Sequence, residues 1–210
     1  MQKILDCIAK ALSITLYPLL LPTYGIALYM TMMHQWLHTL PTIYIWVCIL
    51  GTMVLTTIIP VGLILLLWKR GSISSLHIEK ASERTTPYIY AIICFAFWSY
   101  FVIDIIQLPN VWTGITIGAT LSLAIVTIIN CRWKISAHST GMGGLLGGIC
   151  SISLYYGLMP TWLIICMLLL SLMLMYARLH LNAHTPLQVI CGYLLGILCT
   201  FIPNLIIHHA

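Results

Sequence analysis

Seven apolar stretches follow one another along this chain of 210 residues, and each is about as long as a membrane-spanning helix. A helix needs about 20 apolar residues to cross the hydrocarbon core of a bilayer. The sequence therefore predicts an all-α, polytopic membrane helix bundle with six to seven transmembrane helices, one stretch being re-entrant or tilted if the number is six. The stretches cover residues 11–30, 43–67, 88–106, 110–130, 141–157, 160–176 and 187–206.

The composition excludes the main alternatives to a membrane protein. Hydrophobic residues make up 61% of the chain and charged residues 6%, with a mean hydropathy of +1.04, whereas soluble domains carry roughly 25% charged residues. A soluble globule of this size cannot bury so much apolar surface. The eight cysteines show no CxxC spacing and lie mostly in apolar runs, so we predict neither disulfides nor a metal site from them. A net charge of +5, dispersed along the chain, does not indicate a nucleic-acid partner.

We expect one integral membrane domain over residues 1–210, in which helices at 11–30 and 43–67 precede a core at about 80–206. Two GxxxG pairs, Gly114/Gly118 and Gly192/Gly196, allow close approach of helices. We interpret them as packing sites within the bundle, and a homo-oligomer seam through the same faces is the alternative.

The basic residues are distributed unevenly between the two faces of the membrane. If all seven stretches cross, every basic residue falls on one face, which the excess of positive charge predicts to be cytoplasmic in a cell (inner) membrane. We interpret Lys3, Lys10, Lys69 and Arg70 as topology anchors. The other basic residues are Lys80, Arg84, Arg132, Lys134 and Arg178.

Three polar segments on that face combine basic residues with histidines. They cover residues 78–88, 131–144 and 177–188, and even numbers of crossings separate them, so they can converge at one end of the bundle. Arginine and lysine neutralise phosphate oxygens. One imidazole can attack phosphorus while a second transfers a proton. Because this face carries no carboxylate cluster that would hold magnesium, we expect phosphoryl chemistry without a metal or other cofactor.

The spacing within these segments resembles the signature of the type 2 phosphatidic acid phosphatase superfamily, membrane lipid phosphatases related to haloperoxidases. Arg178 is followed by five residues, then His184, three more residues and Gln188. Ser136-Ala137-His138 resembles the second motif of that superfamily, and Lys80, Arg84 and Pro87 resemble a degenerate first motif. The sequence departs from the family pattern at Gln188, where the family has aspartate, and at Ile135, Ala137 and Ala177; Arg84 also stands three residues before Pro87 instead of beside it.

The resemblance implies a role for each matching residue. His184 would be the nucleophile that forms a phosphohistidine, His138 the general acid and base, and Gln188 the residue that orients His184. The implied phosphate ligands are Arg178, Arg84, Lys80 and Ser136. Lys134 is an additional cation two residues before Ser136, and we infer that it compensates for the weakened first motif.

The sequence thus predicts a metal-independent phosphatase that removes a terminal phosphomonoester or pyrophosphate group from a membrane lipid. Two alternatives remain: a protein that binds lipid phosphates without hydrolysing them, which the uncharged Gln188 favours, and a phosphotransferase that passes the phosphate to another alcohol. The resemblance also implies an active face outside the cytoplasm, in conflict with the charge bias.

Overall fold

The computed structural model describes residues 2–37, 41–75, 78, 83–157 and 159–209, and within these residues the regular structure is helical, which confirms the all-α prediction. We number eight helices in chain order. Short π-helical segments occur within the third helix, at Met53–Ile58, and at the end of the fourth, at Phe101–Ile106. The helices are α1 Gln2–Thr15, α2 Leu21–Leu37, α3 Thr42–Lys69, α4 Thr85–Ile106, α5 Asn110–Asn130, α6 Ala137–Tyr156, α7 Thr161–His180 and α8 Pro186–His209.

Five of the described helices are long and apolar enough to cross a membrane. They are α3, α4, α5, α7 and the Pro186–Ile207 part of α8. Helix α2, at 17 residues, and helix α6 are not among them. The chain is therefore compatible with an integral membrane protein, while six to seven crossings stay a prediction.

The helix predicted over residues 11–30 is wrong, because the chain turns in the middle of this stretch. Helix α1 ends at Thr15 and helix α2 begins at Leu21. Pro18 lies between them, and proline both lacks a donor N–H and disfavours a helical conformation in the residue before it. The apolar stretch is thus divided between two helices.

The other helix boundaries lie close to proline or glycine residues in the sequence. Helix α5 spans the predicted residues 110–130. Gly157 ends α6 in the left-handed conformation, with φ of 63°, so the predicted turn before Pro160 is confirmed. Helix α3 continues through Pro60, and the π-helical turns of Met53–Ile58 lie immediately before this proline, where its missing N–H interrupts the regular bonding.

Helix α8 packs closely against both α5 and α6 through glycines. A Cβ atom on Gly143 of α6 would collide with the carbonyl oxygen of Tyr193, and one on Gly196 of α8 would collide with the carbonyl oxygen of Thr140. Gly118 of α5 similarly faces the backbone of Cys199. Both GxxxG pairs therefore contact helices of the same chain.

This packing brings two of the polar segments together at one end of the bundle. The backbone N–H of Ser136, before α6, donates to the carbonyl oxygen of Gln188 in the first turn of α8 at 3.3 Å. A Cβ on Gly192, one turn further along α8, would lie 2.7 Å from the carbonyl oxygen of Ser136. The close helix contact therefore fixes the segment at 131–144 against the segment at 177–188.

Candidate functional site

Ser136 caps the start of helix α6. Its hydroxyl oxygen accepts hydrogen bonds from the backbone N–H of Ser139 at 3.3 Å and from the Ser139 hydroxyl at 2.9 Å. Serine is a favoured residue at this position because it satisfies a donor at the helix start. The side chain is fully buried and does not line the cavity described below. The structure thus gives Ser136 a capping role, and its contact with phosphate stays a prediction.

Helix α8 begins with a reciprocal cap between Thr185 and Gln188. The backbone N–H of Thr185 donates to Oε1 of Gln188 at 3.1 Å, and the N–H of Gln188 approaches the Thr185 hydroxyl at 3.5 Å. Pro186 occupies the first helical position, where a missing N–H costs nothing. Threonine followed three residues later by glutamine is a capping-box sequence, so the local sequence specifies this helix start.

The cap also holds the imidazole of His184. Nδ1 of His184 lies 3.3 Å from Oε1 of Gln188 and 3.3 Å from the carbonyl oxygen of Lys134. A carbonyl oxygen only accepts hydrogen bonds, so Nδ1 carries the proton. Nε2 then retains its lone pair, the form that a nucleophilic imidazole requires.

His138 lies at the start of α6 and contacts the end of α1. Its Nε2 donates to the carbonyl oxygen of Ser13 at 3.0 Å. The ring of Tyr17 packs edge-on against the imidazole, with 5.9 Å between ring centroids. Helix α1 and the turn after it therefore fix the orientation of His138.

A cavity of about 930 Å³ opens between α1 and the polar segments, and four cationic side chains line it. Among the described residues that line this cavity there is no carboxylate. His138 is part of the lining, and Ala183, the residue before His184, is another part. The lining cations are Lys10, Arg84, Lys134 and Arg178.

The two arginines of the cavity differ in how their donors are used. Arg84 is only 8% exposed, and its Nε donates to the carbonyl oxygen of Ile78 at 2.9 Å. Nε of Arg178 is buried, and no hydrogen-bond partner for it is present among the described residues. An unsatisfied buried donor costs about 1–3 kcal/mol, and the described residues supply no acceptor for this one.

The surroundings keep both imidazoles neutral at pH 7. Burial, and after it the charge of Arg178, lowers the pKa of His138 to about 3. Burial followed by the charges of Arg178, Arg84 and Lys134 lowers the pKa of His184 to about 4, although the bond to Gln188 raises it. Because the cationic form of a histidine here is disfavoured by burial and by neighbouring cations, a bound anion would raise both pKa values again.

The structure brings most of the sequence-predicted site residues to one place. Arg84, Lys134, His138 and Arg178 surround the cavity, and His184 with Gln188 lies beside them, although His184 does not itself line it. Lys80 lies outside the described residues.

Sequence reasoning missed three contributions to the site. Lys10, interpreted as a topology anchor, lines the cavity, the carbonyl of Ser13 binds His138, and Thr185 completes the cap on Gln188. Two features of the sequence could have indicated these contributions. They are the helical spacing of the polar residues within α1 and the capping-box sequence at the start of α8.

No family model matches this chain, and neither a curated protein nor a solved structure is similar enough to count as a match.

Proposed function

We propose that this protein is a metal-independent phosphatase that removes the terminal phosphate of a membrane lipid through a phosphohistidine. One observation carries the proposal: four cations line a single cavity, next to two neutral imidazoles, and the buried Nε of Arg178 has no partner among the described residues. Such a cavity suits an anion with several oxygens. Phosphoryl transfer relies mainly on positioning and charge stabilisation, which this arrangement supplies.

In the first step, Nε2 of His184 attacks the terminal phosphorus. The bond between phosphorus and the leaving oxygen breaks, and the electron pair of that bond leaves with the lipid. Gln188 and the carbonyl of Lys134 hold Nδ1–H of His184, so that the lone pair on Nε2 keeps its orientation. Arg84, Arg178 and Lys134 neutralise the charge on the phosphoryl oxygens.

In the second step, water attacks the phosphohistidine. A neutral His138 accepts a proton from this water, the N–P bond breaks, and inorganic phosphate leaves. Where the leaving group is an alcohol, His138 must first gain a proton, and the negative charge of the bound phosphate favours that gain.

A lipid substrate is supported by the five helices that are long and apolar enough to cross a membrane, because the candidate site lies at the ends of two of them, α7 and α8. The excess of basic residues favours a cytoplasmic active face in a cell membrane. Labelling of the exposed Cys7 with a membrane-impermeant thiol reagent from either side decides between this orientation and the opposite one.

Arg178 provides a direct test of the proposal. The purified protein in detergent, with EDTA present, is expected to release phosphate from a panel of phosphatidate, polyprenyl phosphate and polyprenyl diphosphate. Arg178→Gln should lower kcat/KM by about 10²-fold, because it removes a charged bidentate ligand. Arg132→Gln removes the same charge from an exposed position in the 131–144 segment and should leave the rate within twofold. No release by the parent, or equal loss in both variants, contradicts the proposal.

A second candidate function is binding of a lipid phosphate without hydrolysis. The feature that favours it is Gln188, whose amide oxygen already accepts from the N–H of Thr185 and carries no charge. A carboxylate in this position would stabilise the imidazolium character that His184 develops during attack, whereas an amide only orients the ring.

Gln188→Asp distinguishes the two functions. For the phosphatase, the parent turns over and the added carboxylate should raise kcat about tenfold, since it stabilises positive charge on His184. For the binding protein, the parent retains co-purified lipid phosphate and releases none. Thr185→Ala is the matched control: it removes the hydroxyl half of the cap but keeps the bond from the Thr185 N–H to the amide oxygen of Gln188, and it should lower stability by about 1 kcal/mol without raising kcat.

A further inference from the structure

Helix α1 separates apolar from polar residues more strongly than any other α-helix among the described residues. Ile4 and Ile8 are 65% and 49% exposed, and Leu5 beside them is exposed as well. Ala9 and Ser13, on the opposite side of the helix, are buried. One side of α1 therefore packs on the protein, while an apolar strip of Ile4, Leu5 and Ile8 faces away from it.

Helix α1 is too short to cross a bilayer. Its 14 residues give a length of about 21 Å, whereas the hydrocarbon core is about 30 Å thick. It is also not one of the five helices that are long and apolar enough to span a membrane. An amphipathic helix that does not span lies in the plane of the membrane interface, with its apolar side among the acyl chains.

Two contacts fix the height of α1 along the bundle. Nε2 of His180, the last residue of α7, donates to Oδ1 of Asp6 at 2.7 Å. The carbonyl oxygen of Ser13 accepts from Nε2 of His138, the second residue of α6. Because α7 is one of the five apolar helices, its last residue in a bilayer lies where the helix leaves the hydrocarbon core. These contacts therefore hold α1 at the level of the membrane–water interface.

The end of the bundle that carries α1 is positively charged on its surface. The acids at this end, among the described residues, are already engaged, since Asp6 binds His180 and Glu83 accepts from Ser74. A cluster of basic residues at a membrane surface attracts anionic lipids. The exposed basic residues of this end are Lys3, Lys10, Lys69, Arg70 and Arg132.

We propose that α1 binds the surface of an anionic lipid leaflet, with its apolar strip among the acyl chains and Lys3 beside the headgroup phosphates. The long stem of a lysine lets its ammonium group reach the headgroups from an interfacial helix. The other side of α1 stays on the protein, where Lys10 and Ser13 line the cationic cavity. The same helix thereby separates the cavity from lipid, whether or not hydrolysis takes place there.

A lipid surface fits the apolar strip better than a second copy of this chain. A stable protein interface takes about 800 Å² and about 20–30 residues from each partner. The strip offers three large apolar side chains on one short helix. Lipid needs no such area, because each side chain that enters the acyl region contributes separately.

Photo-cross-linking determines what covers the strip. The photoreactive amino acid p-benzoylphenylalanine replaces Ile8 in the full-length protein, in nanodiscs with equal amounts of phosphatidylcholine and phosphatidylglycerol. Mass spectrometry should find lipid adducts at this position, with phosphatidylglycerol in about fivefold excess. Gln2 is the matched control, because it is exposed on the same helix but lies on the side of Ser13. The same replacement there should give about tenfold fewer lipid adducts.

Lys3→Gln tests the contribution of charge. In the protein that carries the photoreactive residue at position 8, it should reduce the excess of phosphatidylglycerol about fivefold, since it removes one cation from the membrane surface. Lys69→Gln removes the same charge from an exposed position at the end of α3 and should leave the excess within twofold.

Each outcome decides for or against the lipid surface. A covalent dimer cross-linked at Ile8 shows that a second copy covers the strip and overturns the proposal, as does the absence of any adduct at both Ile8 and Ile4, which serves as a second position for the photoreactive residue. Lipid adducts without an excess of phosphatidylglycerol, or an excess that Lys3→Gln does not change, overturn the anionic surface. Phosphate release is not measured, so a failure of the proposed phosphatase leaves this result independent.

Discussion

Replacing His184 with alanine is expected to lower phosphate release from a lipid phosphate by about 10⁴-fold or more. Removal of a catalytic nucleophile typically has an effect of this size or greater. In the structure, Gln188 and the Lys134 carbonyl hold Nδ1–H of His184 and leave Nε2 with its lone pair. The imidazole is also neutral at pH 7, since burial and the nearby cations lower its pKa to about 4. Without this side chain no phosphohistidine can form.

His138→Ala separates the roles of the two histidines. It should slow turnover by about 10²–10⁴-fold, the usual contribution of a general acid or base. Because His184 remains, acid-labile, base-stable phosphoprotein should still form from a labelled polyprenyl diphosphate, whose leaving phosphate needs no proton from His138, and should accumulate, since hydrolysis of the intermediate is slowed. His184→Ala should give no such phosphoprotein. Phosphoprotein in His184→Ala, or rates equal to the parent in both variants, would rule out the mechanism, provided both variants elute and unfold like the parent.

The second large effect concerns the contact between helices α6 and α8. Gly196→Val is expected to lower the free energy of unfolding by about 3 kcal/mol or more, since overpacking of a tight contact is costly when the neighbour cannot move. A Cβ at this position meets the carbonyl oxygen of Thr140 and lies 2.7 Å from the backbone nitrogen of Gly144. Both atoms belong to helix backbone, so no side-chain rotation relieves the collision.

Gly62→Val is the matched control for this substitution. It places the same residue in helix α3, where a Cβ has no neighbour within 4 Å, and it should leave the unfolding temperature in detergent within a few degrees of the parent. Gly196→Ala, with one carbon, provides a milder variant if the valine protein does not fold. Equal unfolding temperatures for Gly196→Val and Gly62→Val would show that the close α6–α8 contact does not stabilise the bundle.

The α6–α8 contact also links stability to the site. Gly192 lies one turn before Gly196 and faces the carbonyl of Ser136. Separation of the two helices would therefore lengthen the bond between Ser136 and Gln188 and move His184 relative to the cations.

Several features of the candidate site could be derived from local sequence. The helix starts at Ser136 and at Thr185 follow from capping residues, whose partners lie three positions away. The relation between His184 and Gln188 follows from their spacing of four residues. Short-range hydrogen bonds of this kind depend little on the rest of the fold.

Other features could not be derived because they depend on distant parts of the chain. The bond between His138 and Ser13 joins residues 125 positions apart. The place of Lys10 in the cavity depends on how α1 docks on α7, and a lysine near an apolar run looks the same in sequence whether it anchors a helix or lines a site. Ser136 is fully buried at the start of α6, and this burial reflects packing that spacing does not reveal.

The sequence by itself determined that this chain forms apolar helices and that three polar segments belong to one end of them, because hydropathy and proline or glycine breaks act locally along the chain. Only the tertiary structure decided that α1 is a separate helix over the site and that four cations share one cavity. The physical reason is that burial of charge next to charge depends on helix packing, through backbone contacts such as that between Gly196 and Thr140, which join residues far apart in sequence.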